Sequence, residues 1–241
     1  MIVMPLPGPR PRAIVLRLRD STGMTGLPPT GNRALRAACL ACAAAVLLVA
    51  ACGSPREAAV PAGGVVLVVG DSISAGFGVD SDEAWPARLA QRTGWRVVAA
   101  GVNGDRTAGG RLRLPALIDE HAPALVLIEL GGNDLLRGVP APEIAANLEA
   151  MIETARARGA RVALMAAPQP SALGVLTGLA PAGLYAEIAR RRKVPLVEKA
   201  LPSVLSDEKL KQDAIHPNAA GHDALAERAL AELARSGLVT P

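Results

Sequence analysis

The sequence predicts an α/β protein: a parallel sheet of about five strands with helices on both faces. Two observations lead there. From Val65 onward, short β-rich runs alternate with longer helical patterns, the order that right-handed strand–helix–strand crossovers produce. Three of the short runs are almost wholly apolar, as strands covered on both faces are.

In chain order the first strand is VVLVVG, Val65–Gly70, followed by a helical pattern over Asp82–Thr93. RVVAA, Arg96–Ala100, reads as the second strand and Thr107–His121 as its helix. ALVLIEL, Ala124–Leu130, is the third strand and Pro142–Gly159 the helix after it. RVALMA, Arg161–Ala166, and VPLVE, Val194–Glu198, are the fourth and fifth strands, with a helix over Pro181–Lys193 between them. Asn218–Ser236 closes the chain as a helix. There is no internal repeat. In open sheets of this kind function gathers at the carboxyl ends of the strands, so the segments that follow the strands are the ones to read for chemistry.

Composition narrows the classes. Half of the 241 residues are hydrophobic but only 2% are aromatic, so the core is built from Ala, Leu and Val. The formal charge of +4 is uneven: residues 1–51 hold six arginines and one aspartate, leaving 20 basic and 21 acidic residues beyond them. The basic balance belongs to the amino end, and nucleic acid is not expected as a partner. The cysteines, Cys39, Cys42 and Cys52, all lie near the amino end. The part that follows has no thiol nucleophile and no cysteine-based zinc site, and three histidines in the whole chain speak against a multi-histidine metal site.

The strand ends carry small, polar, glycine-rich turns. GDSISAG, Gly70–Gly76, puts Ser72 at the mouth of the sheet; it lacks the second glycine of G-x-S-x-G, which argues against an ordinary α/β-hydrolase elbow. Its other reading is a tight or phosphate-type turn. GVNGDRTAGG, Gly101–Gly110, offers the backbone N–H of Gly104 at close range, or else a plain loop with a helix cap at Thr107. ELGGNDLLRG, Glu129–Gly138, places Asn133 after two glycines, as an amide donor or an Asx-type turn. A dinucleotide fingerprint is absent here. Finally, KQDAIHPNAAG, Lys211–Gly221, sets Asp213 three residues before His216. The acid either caps the turn into the last helix or orients an imidazole.

Together these pieces have one chemistry. A serine hydroxyl is a weak nucleophile until a base takes its proton. Imidazole does so when a carboxylate fixes its tautomer. The oxyanion that forms needs preorganised donors. Ser72, His216 and Asp213 supply nucleophile, base and orienter; the N–H groups of Ser72 and Gly104 and the Asn133 amide supply donors. His121, ending a helix where a cation suits the dipole, and His222, early in the last helix and facing solvent or core, lack the acid partner of a working base.

GDSIS, NGD, GGND and DAIHPN resemble, in order and spacing, the four blocks of the SGNH, or GDSL, hydrolases, and the likeness spans about Val65 to Leu238. RLPALI, Arg113–Ile118, and ELGGNDLLRG bring it close to the bacterial periplasmic thioesterase, lysophospholipase and arylesterase group. The resemblance implies a flavodoxin-like three-layer α/β/α sandwich with no metal or organic cofactor. It implies Ser72, Asp213 and His216 as triad and Ser72, Gly104 and Asn133 as oxyanion hole. The expected activity is hydrolysis of acyl esters or thioesters by a monomer; removal of acetyl groups from polysaccharide is the alternative, and a ligand-binding lipoprotein without catalysis the alternative of another class. APQPSALGVLTG, Ala167–Gly178, is the implied wall of the acyl pocket and departs most from the family.

Upstream, arginines precede an apolar run from Ala37 to Ala51. The run is shorter than the roughly 20 residues that span a bilayer, and the pattern is that of an export signal; a short anchor that stays attached is the other reading. VAAC, Val49–Cys52, is similar to the bacterial lipoprotein processing site, which implies acyl chains on Cys52 and stable membrane attachment. Gly53 at the next position implies the outer membrane, on the periplasmic side. Residues 1–51 are thus read as leader, with Met24 the start that gives it a more usual length, 52–64 as an Ala/Pro/Gly-rich tether, and 65–241 as the hydrolase domain.

Overall fold

The computed structural model describes residues 58–171 and 178–239. The expected leader, Cys52 and residues 172–177 lie outside the described residues. The five strands are β1 Val65–Gly70, β2 Arg96–Gly101, β3 Leu125–Glu129, β4 Arg161–Met165 and β5 Leu196–Val197. They form one parallel sheet in the order β2-β1-β3-β4-β5, the flavodoxin-like order. The helices are α1 Ser72–Ala75, α2 Trp85–Thr93, α3 Thr107–His121, α4 Gly132–Leu136, α5 Ala141–Ala157, α6 Gly183–Arg192, α7 Ala200–Leu205 and α8 Ala219–Arg235.

Alternation along the strands makes two cores. Leu67, Val69, Val126, Ile128, Val162 and Leu164 face α3, α5 and α6. Val66, Val68, Leu125, Leu127, Ala163 and Met165 face α2, α7 and α8. The all-apolar strand runs are explained by this: neither face of the central strands meets water. Truncating any of these buried leucines to alanine should cost about 2–5 kcal/mol in chemical denaturation.

Several elements depart from the sequence reading at their ends: α2 starts at Trp85 rather than Asp82, and α5 ends at Ala157 rather than Gly159. The fifth strand shrinks to two residues, because Val194 still completes the end of α6, its N–H bonded to Ala189 O. Helix α6 begins at Gly183 rather than Pro181, since residues 180–182 pair with 167–169: Gln169 N–H bonds Ala180 O at 2.8 Å and Ala182 N–H bonds Ala167 O at 3.0 Å. Within the stretch read as tether, Val60 is buried; its N–H bonds Leu238 O at 2.8 Å, and its carbonyl accepts the Trp95 indole N–H at 3.1 Å.

His222 belongs to the core. It is fully buried in α8, and its Nδ1 accepts the backbone N–H of Trp85, the first residue of α2, at 3.2 Å. That satisfies one of the donors every helix start leaves open. Burial first, and the charge of His216 second, push its pKa down to about 4. The folded state therefore keeps the ring neutral while the unfolded chain binds a proton, so stability falls as pH drops from the ordinary histidine range toward about 4. His222→Gln, which keeps an acceptor and cannot ionise, should be less stable than the native chain by about 1–3 kcal/mol at neutral pH. Thermal unfolding across that acid range should show the gap narrowing; a gap independent of pH would contradict the assignment.

Candidate active site

The site is built where the sheet reverses its winding. β1 and β3 are neighbours, paired from Val66↔Leu125 to Gly70↔Glu129, but their crossovers run to opposite faces, which opens a crevice at their carboxyl ends. Ser72 follows β1 as the first residue of α1. Asp71 caps that turn, its Oδ1 accepting the Ile73 N–H at 3.0 Å.

Asp213 and His216 lie ahead of α8. Asp213 Oδ1 accepts the backbone N–H groups of Ile215 and His216, each at 2.8 Å, and so folds the loop as an Asx-type turn. Its Oδ2 lies 2.8 Å from His216 Nδ1. The acid therefore shapes the turn and orients the imidazole at once, while the cap of α8 is Asn218, whose side chain accepts the Gly221 N–H at 2.9 Å. Burial would raise the Asp213 pKa, but the donors from Ile215 and His216 outweigh it and hold the carboxyl below the usual aspartate range. With a proton fixed on Nδ1, His216 presents Nε2 as an acceptor, 3.0 Å from Ser72 Oγ. Phe77 stacks obliquely on the imidazole, ring centroids 4.5 Å apart.

Asn133 sits on α4, which the chain enters through Gly131 at φ +114°. That conformation favours glycine, and a Cβ there would also run into the Tyr185 hydroxyl. The Asn133 amide donates to Asp71 Oδ2 at 3.1 Å. Gly104, at φ +72° in the loop after β2, is not part of the cavity lining; a Cβ on it would lie 3.8 Å from Arg137 Nη2. Thr107 does not cap α3. Its N–H and hydroxyl both donate to the buried Asp134, at 3.0 and 2.7 Å, which ties the second strand-end loop to the third. Arg113 adds a further tie, donating to Asp105 Oδ2, Ala100 O and Gly70 O.

A cavity of about 250 Å³ opens beside Ser72 and His216. Ile73, Leu136, Ala167, Pro168, Leu201 and Leu205 make most of its wall apolar. The implied pocket segment Ala167–Gly178 contributes residues 167–171 to it, and 172–177 lie outside the described residues. Among the described residues no group of three or more His, Cys, Asp or Glu side chains is placed to hold a metal ion.

Beneath the serine lie two buried carboxyls that sequence reading did not single out. Glu129 Oε2 accepts the Ser74 hydroxyl at 2.7 Å and, more weakly, the Asp71 N–H at 3.4 Å. Burial, and then the charge of Asp71, raise its pKa well above the ordinary value. Burial also pushes Asp71 up to about 6, against the lowering effect of the Ile73 N–H, His216 and Asn133. Only the apolar run ahead of Glu129 hinted that an acid would be buried there.

Residues 68–224 match the GDSL-like lipase/acylhydrolase family. The chain belongs to that family. It is 43% identical over 168 residues to esterase TesA of Pseudomonas aeruginosa, covering 67% of this chain and 84% of that one. It is 36% identical over 158 residues to thioesterase 1/protease 1/lysophospholipase L1 of Escherichia coli K12, covering 64% and 75%. A crystal structure of TesA superposes with a TM-score of 0.64 at 38% identity, covering 71% of this chain and 99% of that one. This GDSL-type hydrolase is thus an ester hydrolase, with the five-stranded parallel sheet and flanking helices expected of it.

The buried acid has a measurable signature. Glu129 holds a proton in the fold that the unfolded chain releases above pH 4.5. Stability from that proton is complete below the unfolded pKa and is lost as pH rises through the folded one. Glu129→Gln should therefore lose less melting temperature than the native chain as pH rises from 4.5 toward neutral. Parallel thermal-unfolding curves with a constant offset would rule this out.

Proposed function

We propose that this hydrolase cleaves esters and thioesters of acyl chains through Ser72, His216 and Asp213. The observation that carries the reading is the unbroken chain of contacts from Asp213 Oδ2 through the imidazole to Ser72 Oγ, at 2.8 and 3.0 Å, beside an apolar cavity. His216 Nε2 takes the Ser72 proton as Oγ attacks the acyl carbonyl. The oxyanion is received by the N–H groups of Ser72 and Gly104 and by the free Asn133 amide N–H. The imidazolium, steadied by Asp213, then protonates the leaving alkoxide or thiolate, and an acyl-enzyme remains. Water, deprotonated by the same Nε2, attacks the acyl-enzyme and releases the acid. The apolar wall favours an acyl chain, which agrees with relatives named as thioesterase and lysophospholipase. No step calls for a metal or an organic cofactor.

Upstream of the fold, the reading is an exported protein that acts as a monomer and is held on the periplasmic side of the outer membrane by acyl chains on Cys52. The support is the sequence pattern of residues 32–55.

Ser72→Ala should fold normally and lose both turnover and labelling by a fluorophosphonate. Asn133→Ala should keep labelling chemistry possible but lower kcat by about 10²–10³. A Ser72→Ala protein that still turns over ester would end the proposal. A profile of p-nitrophenyl esters from acetate to long chains tests the substrate class: activity should rise beyond acetate, and a steep preference for acetate would favour deacetylation of polysaccharide instead.

A further inference from the structure

A carboxamide is nearly symmetric in shape. Turned over, Asn133 would aim its oxygen, not its N–H, at a developing oxyanion, and a donor would become a repulsive group. Something must fix its orientation. Asp71 holds one end, accepting an Nδ2 proton at 3.1 Å. The other end is held by Arg137: Nη1 donates to Asn133 Oδ1 at 2.8 Å and to the Asn133 backbone carbonyl at 3.2 Å.

We propose that Arg137 is a positioning residue for the oxyanion hole, acting through Asn133 to keep the amide N–H turned toward Ser72. Four facts support it. The guanidinium grips the same residue at two points, one on the side chain and one on the backbone one helical turn away. The two grips on the amide are of opposite charge, anion on the N–H end and cation on the oxygen end, so a turned-over amide would face a like-signed dipole at both ends. Arg137 forms no ion pair with a carboxylate among the described residues, so its charge acts on the amide. Its Nη2 side lies toward Gly104, so the guanidinium stands between the two loops that supply donors. Drawing electron density toward Oδ1 also makes the remaining N–H a stronger donor. Arg137 touches neither Ser72 nor His216 and moves no proton. Both bonds leave the one nitrogen, Nη1; a lysine ammonium could make them too, but without the rigid planar group that aims Nη1 at the amide.

The inference rests on the serine mechanism proposed above, and a double-mutant cycle separates the two. Arg137→Met, Asn133→Ala and the pair are assayed with a short neutral p-nitrophenyl ester, with thermal unfolding as the control for folding. Arg137→Met should lower kcat about tenfold, a fraction of the roughly 10²–10³ lost with the whole donor, and leave KM within about twofold. Arg137→Lys should recover part of the loss. In the Asn133→Ala background, Arg137→Met should change nothing further, because its only route to the reaction is gone. The inference is overturned if Arg137→Met matches the native kcat, if it costs the same factor with and without Asn133, or if it acts on KM alone. Should Arg137→Met not fold, Arg137→Lys and Arg137→Gln carry the same cycle. Failure of the serine mechanism looks different: Ser72→Ala would then retain turnover, whatever Arg137 does.

Discussion

The parallel pairing of β1 with β3 is the constraint on which the site depends. It sets the Gly70 and Glu129 ends side by side, and so brings the turn bearing Ser72 against the turn bearing Asn133. Everything that fixes the reacting groups then spans short gaps. Asp71 reaches Asn133, Glu129 reaches Ser74, and Arg113 reaches the last carbonyl of β1 and the next-to-last of β2. A slip of one residue in that register would reverse the faces of β3 and remove both cores together. The same buried contacts that hold the sheet thus also hold the chemistry.

The floor of the crevice is costly. Two carboxyls in an apolar surrounding resist ionisation, and the charge of Asp71 raises the pKa of Glu129 further. Their place makes sense through what they grip: the backbone around Ser72 on one side, the Asn133 amide on the other. By contrast Asp213 is half-exposed and rich in donors, which favours its charged form beside the His216 ring. Close to one serine, burial favours the protonated form of Glu129 while the donors around Asp213 favour its charged form, and the two acids do different work.

Much of this was legible beforehand. The strands showed because their apolar runs had no other use, and the boundaries of the first strand and of the helix Thr107–His121 coincide with those observed. Ser72, Asp213 and His216 showed through residue type, spacing and order along the chain. What stayed hidden depends on contacts between distant segments. Thr107 looked like a cap because Asp134, its true partner, lies 27 residues away. Glu129 and Arg137 sat inside a motif already noted, but their partners appear only once the sheet has closed. The short helix Ala200–Leu205 has too few residues to display a period, so the sequence reading assigned it no element, although its apolar side chains lie in the core.

The way the chain closes has a practical side. Val60 meets Leu238 and Val239 at the amino edge of the sheet, the far end of a six-residue strand from Ser72, roughly 20 Å away. Both ends of the fold therefore emerge together, behind the reactive face. A fusion partner, affinity handle or solid support joined directly beside Val60 or Val239 would be attached on the side away from Ser72, and a short loop bridging those two residues would allow new termini to be opened elsewhere.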